Sequence, residues 1–189
     1  MIFTPTPLAG AYVIEPRKIQ DERGFFARIL CEDEFLEHHL NSHLPQTNMS
    51  RTHRRGTMRG LHFQKAPHVE AKIVRCTKGA VFDVIVDLRP EATTFRSWFG
   101  IELNENNFKA LYVPEGFAHG YLTLMDDSEI YYHTTAHYHP ESATGVRYDD
   151  PEFAIVWPIE VEVISRQDRE WPDFTTEKIL ISPDKEMAR

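Results

Sequence analysis

The sequence predicts an all-β fold, a sandwich or double-sheet jelly roll with a few short helices. From about residue 46 to residue 135, apolar and polar residues alternate in short runs, as half-buried strands require. Turn signals such as Arg54-Arg55-Gly56 and Lys78-Gly79 separate those runs at hairpin spacing. Ahead of them only residues 32–40 have helical periodicity.

Taken in order, residues 11–14 and 24–30 read as strands on either side of the turn Asp21-Glu22-Arg23-Gly24. Residues 32–40 place Phe35, Leu36 and Leu40 at helical spacing, with acids in the first turn. Leu44-Pro45 then stops the helix. Strands follow at 57–62, 71–76, 80–88, 97–103, 108–113, 120–124 and 129–135. The last third is acidic and Pro-rich (Asp149-Asp150-Pro151, Trp157-Pro158). It offers one short helix, Ser165-Arg166-Gln167-Asp168, capped by Ser165. No linker, repeat or low-complexity run divides the 189 residues, so a single domain over 1–189 is expected, with a flexible tail at 183–189.

Composition narrows the function. Hydrophobic residues make up 41% and aromatics 12%, enough for a core. The net charge of −8 argues against a nucleic-acid partner, which needs a basic surface. Cys31 and Cys76 lack a CxxC partner, so zinc and redox motifs are absent and free thiols in a reducing compartment are expected. The N-terminus does not read as a signal peptide, and no apolar run reaches the ~20 residues of a membrane helix. These features suggest a soluble, cytoplasmic protein without membrane partners.

Chemistry concentrates in Arg59-Gly60-Leu61-His62-Phe63-Gln64. On a strand, Leu61 and Phe63 point one way and His62 and Gln64 the other. A neighbouring strand puts Lys72 on one face with Val74 and Cys76. Two cations beside a histidine call for an anion, which a substrate phosphate or a developing oxyanion supplies. A single histidine among apolar neighbours is otherwise more often structural. Strand 80–88 puts Asp83, Ile85 and Asp87 on one face; a sandwich leaves them facing water, whereas a cavity there brings Asp83 into the site. Tyr132 shares a strand face with Ile130 and Thr134, where aromatics are usually packing. The run Arg51-Thr52-His53-Arg54-Arg55 reads as a solvated hairpin tip.

Pro114, Gly116 and His119 have the PxGxxH spacing of the second half of the cupin metal motif. The first half would need an HxH, and here it is His62-Phe63-Gln64. A metal set would have to recruit His68 or Glu70 from a loop, so no metal is expected.

Together these stretches resemble the dTDP-4-dehydrorhamnose 3,5-epimerase family, from about residue 10 to residue 173. The segments that carry the resemblance are Asp21-Glu22-Arg23-Gly24-Phe25-Phe26, Gly56 to Gln64, Ala71 to Arg75, Val81 to Arg89, Tyr112 to Gly120, Asp149-Asp150-Pro151 and Trp157-Pro158. The resemblance implies a cupin-type jelly roll that needs no cofactor, and a homodimer whose N-terminal strands exchange between subunits. It assigns His62 as general base, Asp168 as its carboxylate partner, Lys72 as oxyanion stabiliser and Tyr132 as the acid on the other face of the sugar. Arg23 and Arg59 match diphosphate contacts, and His119 and Tyr138 line the sugar pocket. Phe26, Gln46 and Asn48 fall where the nucleoside is held, and Asp83 stands behind the site.

The implied substrate is a nucleotide-diphosphate 4-keto-6-deoxy sugar, foremost dTDP-4-dehydro-6-deoxy-D-glucose going to dTDP-4-dehydro-L-rhamnose. The C4 ketone acidifies the C3 and C5 hydrogens. An imidazole, with a reference pKa near ~6.5, suits their removal. Two departures concern the nucleotide. Arg28 stands where many members carry an acid, and the hairpin between Asn48 and Gly56 is longer and more basic. A single-position epimerase on a CDP- or GDP-linked sugar is the alternative within the class. A metal-dependent cupin oxygenase and a non-catalytic sugar-binding module are the alternatives outside it.

Overall fold

A computed structural model describes residues 1–176; the tail expected at 183–189 lies outside them. Alternation produces strands where expected and adds short ones. The first half gives β1 (Ile2–Pro5), β2 (Tyr12–Glu15), β3 (Lys18–Asp21), β4 (Gly24–Ala27), β5 (Gln46–Thr52), β6 (Thr57–Gln64) and β7 (Lys72–Lys78). After β8 (Ala80–Asp87) come β9 (Trp98–Asn104), β10 (Ala110–Val113), β11 (Phe117–Thr123), β12 (Ser128–Thr134), β13 (Ala143–Gly145) and β14 (Val163–Ile164). The helices are α1 (Glu32–Glu37) and α2 (Arg166–Arg169).

These strands build the expected two-sheet jelly roll. One sheet runs β1-β2-β10-β7-β12-β5, the other β13-β6-β11-β8-β9, with β14 added parallel to β6. Between the sheets Val74, Cys76, Leu111 and Ile130 meet Val81, Ile85, Leu103 and Phe117, all buried. Each such side chain contributes about 1.5–3 kcal/mol.

The second sheet is covered on its outer face as well. Met58, Leu61, Val84, Val86 and Leu122 pack under Phe153, Phe174 and Trp157 from the chain after β13. β8 is therefore buried on both faces. Asp83 and Asp87 are fully buried, and neither faces water. The outer face of the first sheet is closed near β2 and β10, where Phe35 and Leu40 pack on Ile14, Ile73 and Tyr112.

Three of the boundaries that differ from expectation have a cause in the backbone. α1 ends at Glu37, because His39 turns left-handed (φ 59°) and the Leu40 N–H returns to the Phe35 carbonyl. Leu40 is still buried, which explains the helical spacing. The strand expected over 24–30 stops at Ala27, since β4 pairs with β3 alone. Phe108 also turns left-handed (φ 56°), so β10 starts at Ala110. Cys31 and Cys76 are free thiols, and burial pushes the Cys76 thiol up to about 11. Among the described residues no helix is long and apolar enough to cross a membrane.

Candidate active site

Register on the first sheet places one wall of a cavity. Lys72 pairs with Thr134, Val74 with Tyr132 and Cys76 with Ile130 across β7 and β12. On the other side of β12, Thr134 pairs with Gln46, Tyr132 with Asn48 and Ile130 with Ser50. Paired residues share a face, so Lys72, Tyr132, Gln46, Asn48 and Ser50 all look toward the second sheet.

The opposite wall depends on a glycine. Residues 59 and 62 on a regular strand would face opposite ways, yet Arg59 and His62 both line the cavity. Pairing between β6 and β11 slips here: His62 faces His119 while Arg59 faces Tyr121. Gly60 sits in the slip at φ +117°, and a Cβ on it would lie 2.6 Å from the Gly120 Cα and 2.8 Å from the His119 carbonyl oxygen. Only glycine fits so close an approach.

Beyond β14, α2 brings in Asp168, 5% exposed. The Ser165 Oγ caps α2 by accepting the Asp168 N–H at 3.0 Å, as the sequence indicated. Asp168 Oδ1 lies 2.6 Å from the His62 Nε2, and Oδ2 accepts the Gly60 N–H at 3.2 Å. Burial alone would raise the Asp168 carboxyl, but the His62 hydrogen bond and charge, the Gly60 N–H and Ser165 together hold it below the usual carboxylate range.

A second histidine–carboxylate pair stands alongside. His119 Nε2 lies 3.0 Å from both oxygens of Asp83, which is fully buried. Facing them, Tyr132 has its phenol pushed up by burial and by the negative charge of Glu70, with the nearby Arg59 opposing.

The cavity between these walls has a volume of about 700 Å³. It brings together Gln46, Asn48, Arg59, His62, Lys72, His119, Tyr132, Tyr138 and Asp168, with Asp83 behind His119. Two expected site residues are not brought in. Arg23 and Phe26 lie on the β3–β4 hairpin, where Phe26 is 71% exposed and Arg23 pairs with Asp21 in solvent. This hairpin has no third strand to carry it to the cavity of its own chain. Arg28 turns away to Glu34, at 3.1 Å. In the basic hairpin, Arg51 and His53 pair with Asp127.

Sequence reasoning missed the polar groups that hold the wall. Glu70 appeared in it only as a loop residue, yet its carboxylate meets the Lys72 Nζ at 3.2 Å and the Gln64 Nε2 at 3.1 Å. Tyr121 and Ser50 join across the cavity at 2.9 Å. Next to Gln64, the His68 and His139 rings stack at 3.5 Å, with hydrogen bonds to Ser142 and Glu141. Potential ligand atoms, one each from His68, His139 and Glu141, lie within 4.8 Å of one another.

Comparison with known proteins identifies the family and the fold. A family model described as dTDP-4-dehydrorhamnose 3,5-epimerase matches residues 5–176. A protein of that name from Methanothermobacter thermautotrophicus is 42% identical over 89% of this chain and 92% of its own. The crystal structure of one from Elizabethkingia anophelis superposes with a TM-score of 0.91 at 39% identity, covering 95% of this chain and 98% of that one. The dTDP-6-deoxy-D-glucose-3,5-epimerase of Legionella pneumophila, solved with dTDP-4-keto-L-rhamnose, gives 0.82 at 36% identity, over 88% of this chain and 89% of that one.

Proposed function

Because the chain belongs to the dTDP-4-dehydrorhamnose 3,5-epimerase family, we propose that the cavity between its sheets takes a dTDP-linked 4-keto-6-deoxy sugar and inverts C3 and then C5. The observation that carries this reading is the His62–Asp168 pair at 2.6 Å in one cavity with Lys72 and Tyr132.

His62 removes the proton from C3, with Asp168 fixing the imidazole orientation and stabilising the imidazolium that forms. Charge then moves onto O4, where the Lys72 ammonium meets it; a donor placed for that charge is worth about 3–4 kcal/mol. Inversion needs the proton back on the opposite face. Tyr132 extends from the facing sheet and is held protonated by its buried, anionic surroundings. A second round at C5 gives the L-configured sugar. Arg59 takes the diphosphate, Gln46 and Asn48 the nucleoside, and His119 and Tyr138 the sugar pocket.

Arg23 and Phe26 serve as ligand contacts only if they reach another subunit. A homodimer in which each β3–β4 hairpin closes its partner's cavity accounts for both their exposure and their residue types. The free thiols Cys31 and Cys76 suit a cytoplasmic, reducing setting.

Incubation with dTDP-4-keto-6-deoxyglucose in D2O, followed by NMR, tests the reaction. Deuterium is expected at both C3 and C5, with the L-configured product accumulating. Label at one position alone would reduce the enzyme to a mono-epimerase, and no label with that sugar but label with a CDP- or GDP-linked one would move the nucleotide assignment.

A further inference from the structure

Glu70 precedes β7 in a loop, yet its side chain is only 10% exposed, the same as that of Lys72. A carboxylate in such a place is costly unless it is paired and hydrogen-bonded. One oxygen meets the Lys72 Nζ at 3.2 Å; the other accepts from the Gln64 Nε2 at 3.1 Å. Gln64 is itself fixed, its Oε1 taking the His139 N–H at 2.6 Å and its Nε2 facing the carbonyls of His68 and His137. The Lys72 Nζ also lies 3.4 Å from the His62 carbonyl oxygen. An ammonium has three donors and no acceptor, so these two contacts leave one N–H for the cavity.

We propose that Glu70 is a positioning residue for the epimerisation: it anchors the Lys72 ammonium so that one N–H faces the ketone oxygen, and its carboxylate shares the cavity with the Tyr132 phenol. The inference rests on the reaction proposed above. Groups facing Tyr132 come from several elements: Glu70 and Tyr121 push its phenol up, and Arg59 on β6 acts the other way. Removing the Glu70 charge therefore lets the phenol ionise at lower pH, and an ionised Tyr132 has no proton to return.

The test compares wild type, Glu70→Gln and Glu70→Asp in pH profiles of kcat and KM and in C3 exchange from D2O. Glu70→Gln preserves the shape and removes the charge. We expect its kcat to fall about tenfold with KM changed less than about threefold, and the alkaline limb of kcat to move acidward. Glu70→Asp keeps the charge at shorter reach, so its alkaline limb should stay near wild type while kcat remains low. A kcat loss with an unmoved alkaline limb in Glu70→Gln would overturn the proposal, since disturbed packing alone would produce it. Wild-type kcat and profile in Glu70→Gln would overturn it equally. If Glu70→Gln does not fold, Glu70→Asp decides: a full wild-type kcat at that shorter reach ends the positioning role. Absence of any exchange in the wild type would instead sink the reaction assignment itself.

Discussion

In one part of the molecule β8 and β11 are packed from both faces and β6 on its outer face, and the histidines they aim into the cavity have partners: Asp168 for His62, Asp83 for His119. In another, the β3–β4 hairpin holds itself with two strands, the ring contact of Phe25 with Phe108, and Lys18 over the Phe108 ring at 3.8 Å. The first region cannot shift without opening a core, so it suits proton transfer, where small displacements are costly. The second leaves Ile19 and Phe26 each 71% exposed, which suits a surface completed by something else. On the proposed reading, chemistry falls to the rigid wall and ligand capture to the arm.

Breaking the wall at its proposed base gives the largest effect. His62→Ala should cut C3 exchange roughly 10³-fold, within the range of a lost general base, while nucleotide-sugar binding measured by calorimetry changes little. Full epimerisation by this variant would remove His62 from the mechanism. Gly60→Ala attacks the same wall through its backbone. The new Cβ meets the Gly120 Cα at 2.6 Å at a positive φ, so about 3 kcal/mol of stability should go and Tm fall by about 6–12 °C. An unchanged melting curve would mean the β6–β11 slip is not needed.

That slip marks what the sequence can and cannot disclose. Alternation in 57–62 and 80–88 foretold the strands and set His62 on the face opposite Leu61 and Phe63, because a period of two is a local property. Regular alternation puts Arg59 and His62 on opposite faces, and they share the cavity because the extra residue at Gly60 breaks the period; an isolated glycine within a strand was the available hint. The two faces of β8 were equally open choices until residues 146–174 were seen to cover the outer one. Glu70 was hidden for a related reason. A loop acid resembles any solvated acid until folding puts Lys72 and Gln64 against it.

The arm should behave oppositely. Phe26→Ala and Arg23→Ala should raise KM about tenfold with kcat and Tm nearly unchanged, because neither side chain packs in its own chain. Mixing sharpens the comparison. His62→Ala chains and Phe26→Ala chains, unfolded and refolded together, should regain one intact cavity per mixed dimer if the arm reaches across, and none if it serves its own chain. Activity no higher than that of Phe26→Ala alone would return the hairpin to its own subunit.

The smallest effect tests whether the wall's rigidity is partly electrostatic. Asp168 is held below the usual carboxylate range, its contacts with His62, the Gly60 N–H and Ser165 outweighing the upward push of burial. A carboxyl whose folded pKa is depressed adds stability that is complete above its unfolded value, 3.8, and is lost as pH falls through the folded one. The Tm of the wild type should therefore exceed that of Asp168→Asn by a few degrees, about 3 °C, near pH 6, and the gap should narrow as pH drops below about 4. Asp87, depressed by Arg89 and Thr94 against its own burial, is common to both proteins and cancels from the difference. A gap that stays constant down to the lowest pH at which both remain folded would mean that Asp168 holds His62 by shape and hydrogen bonding alone.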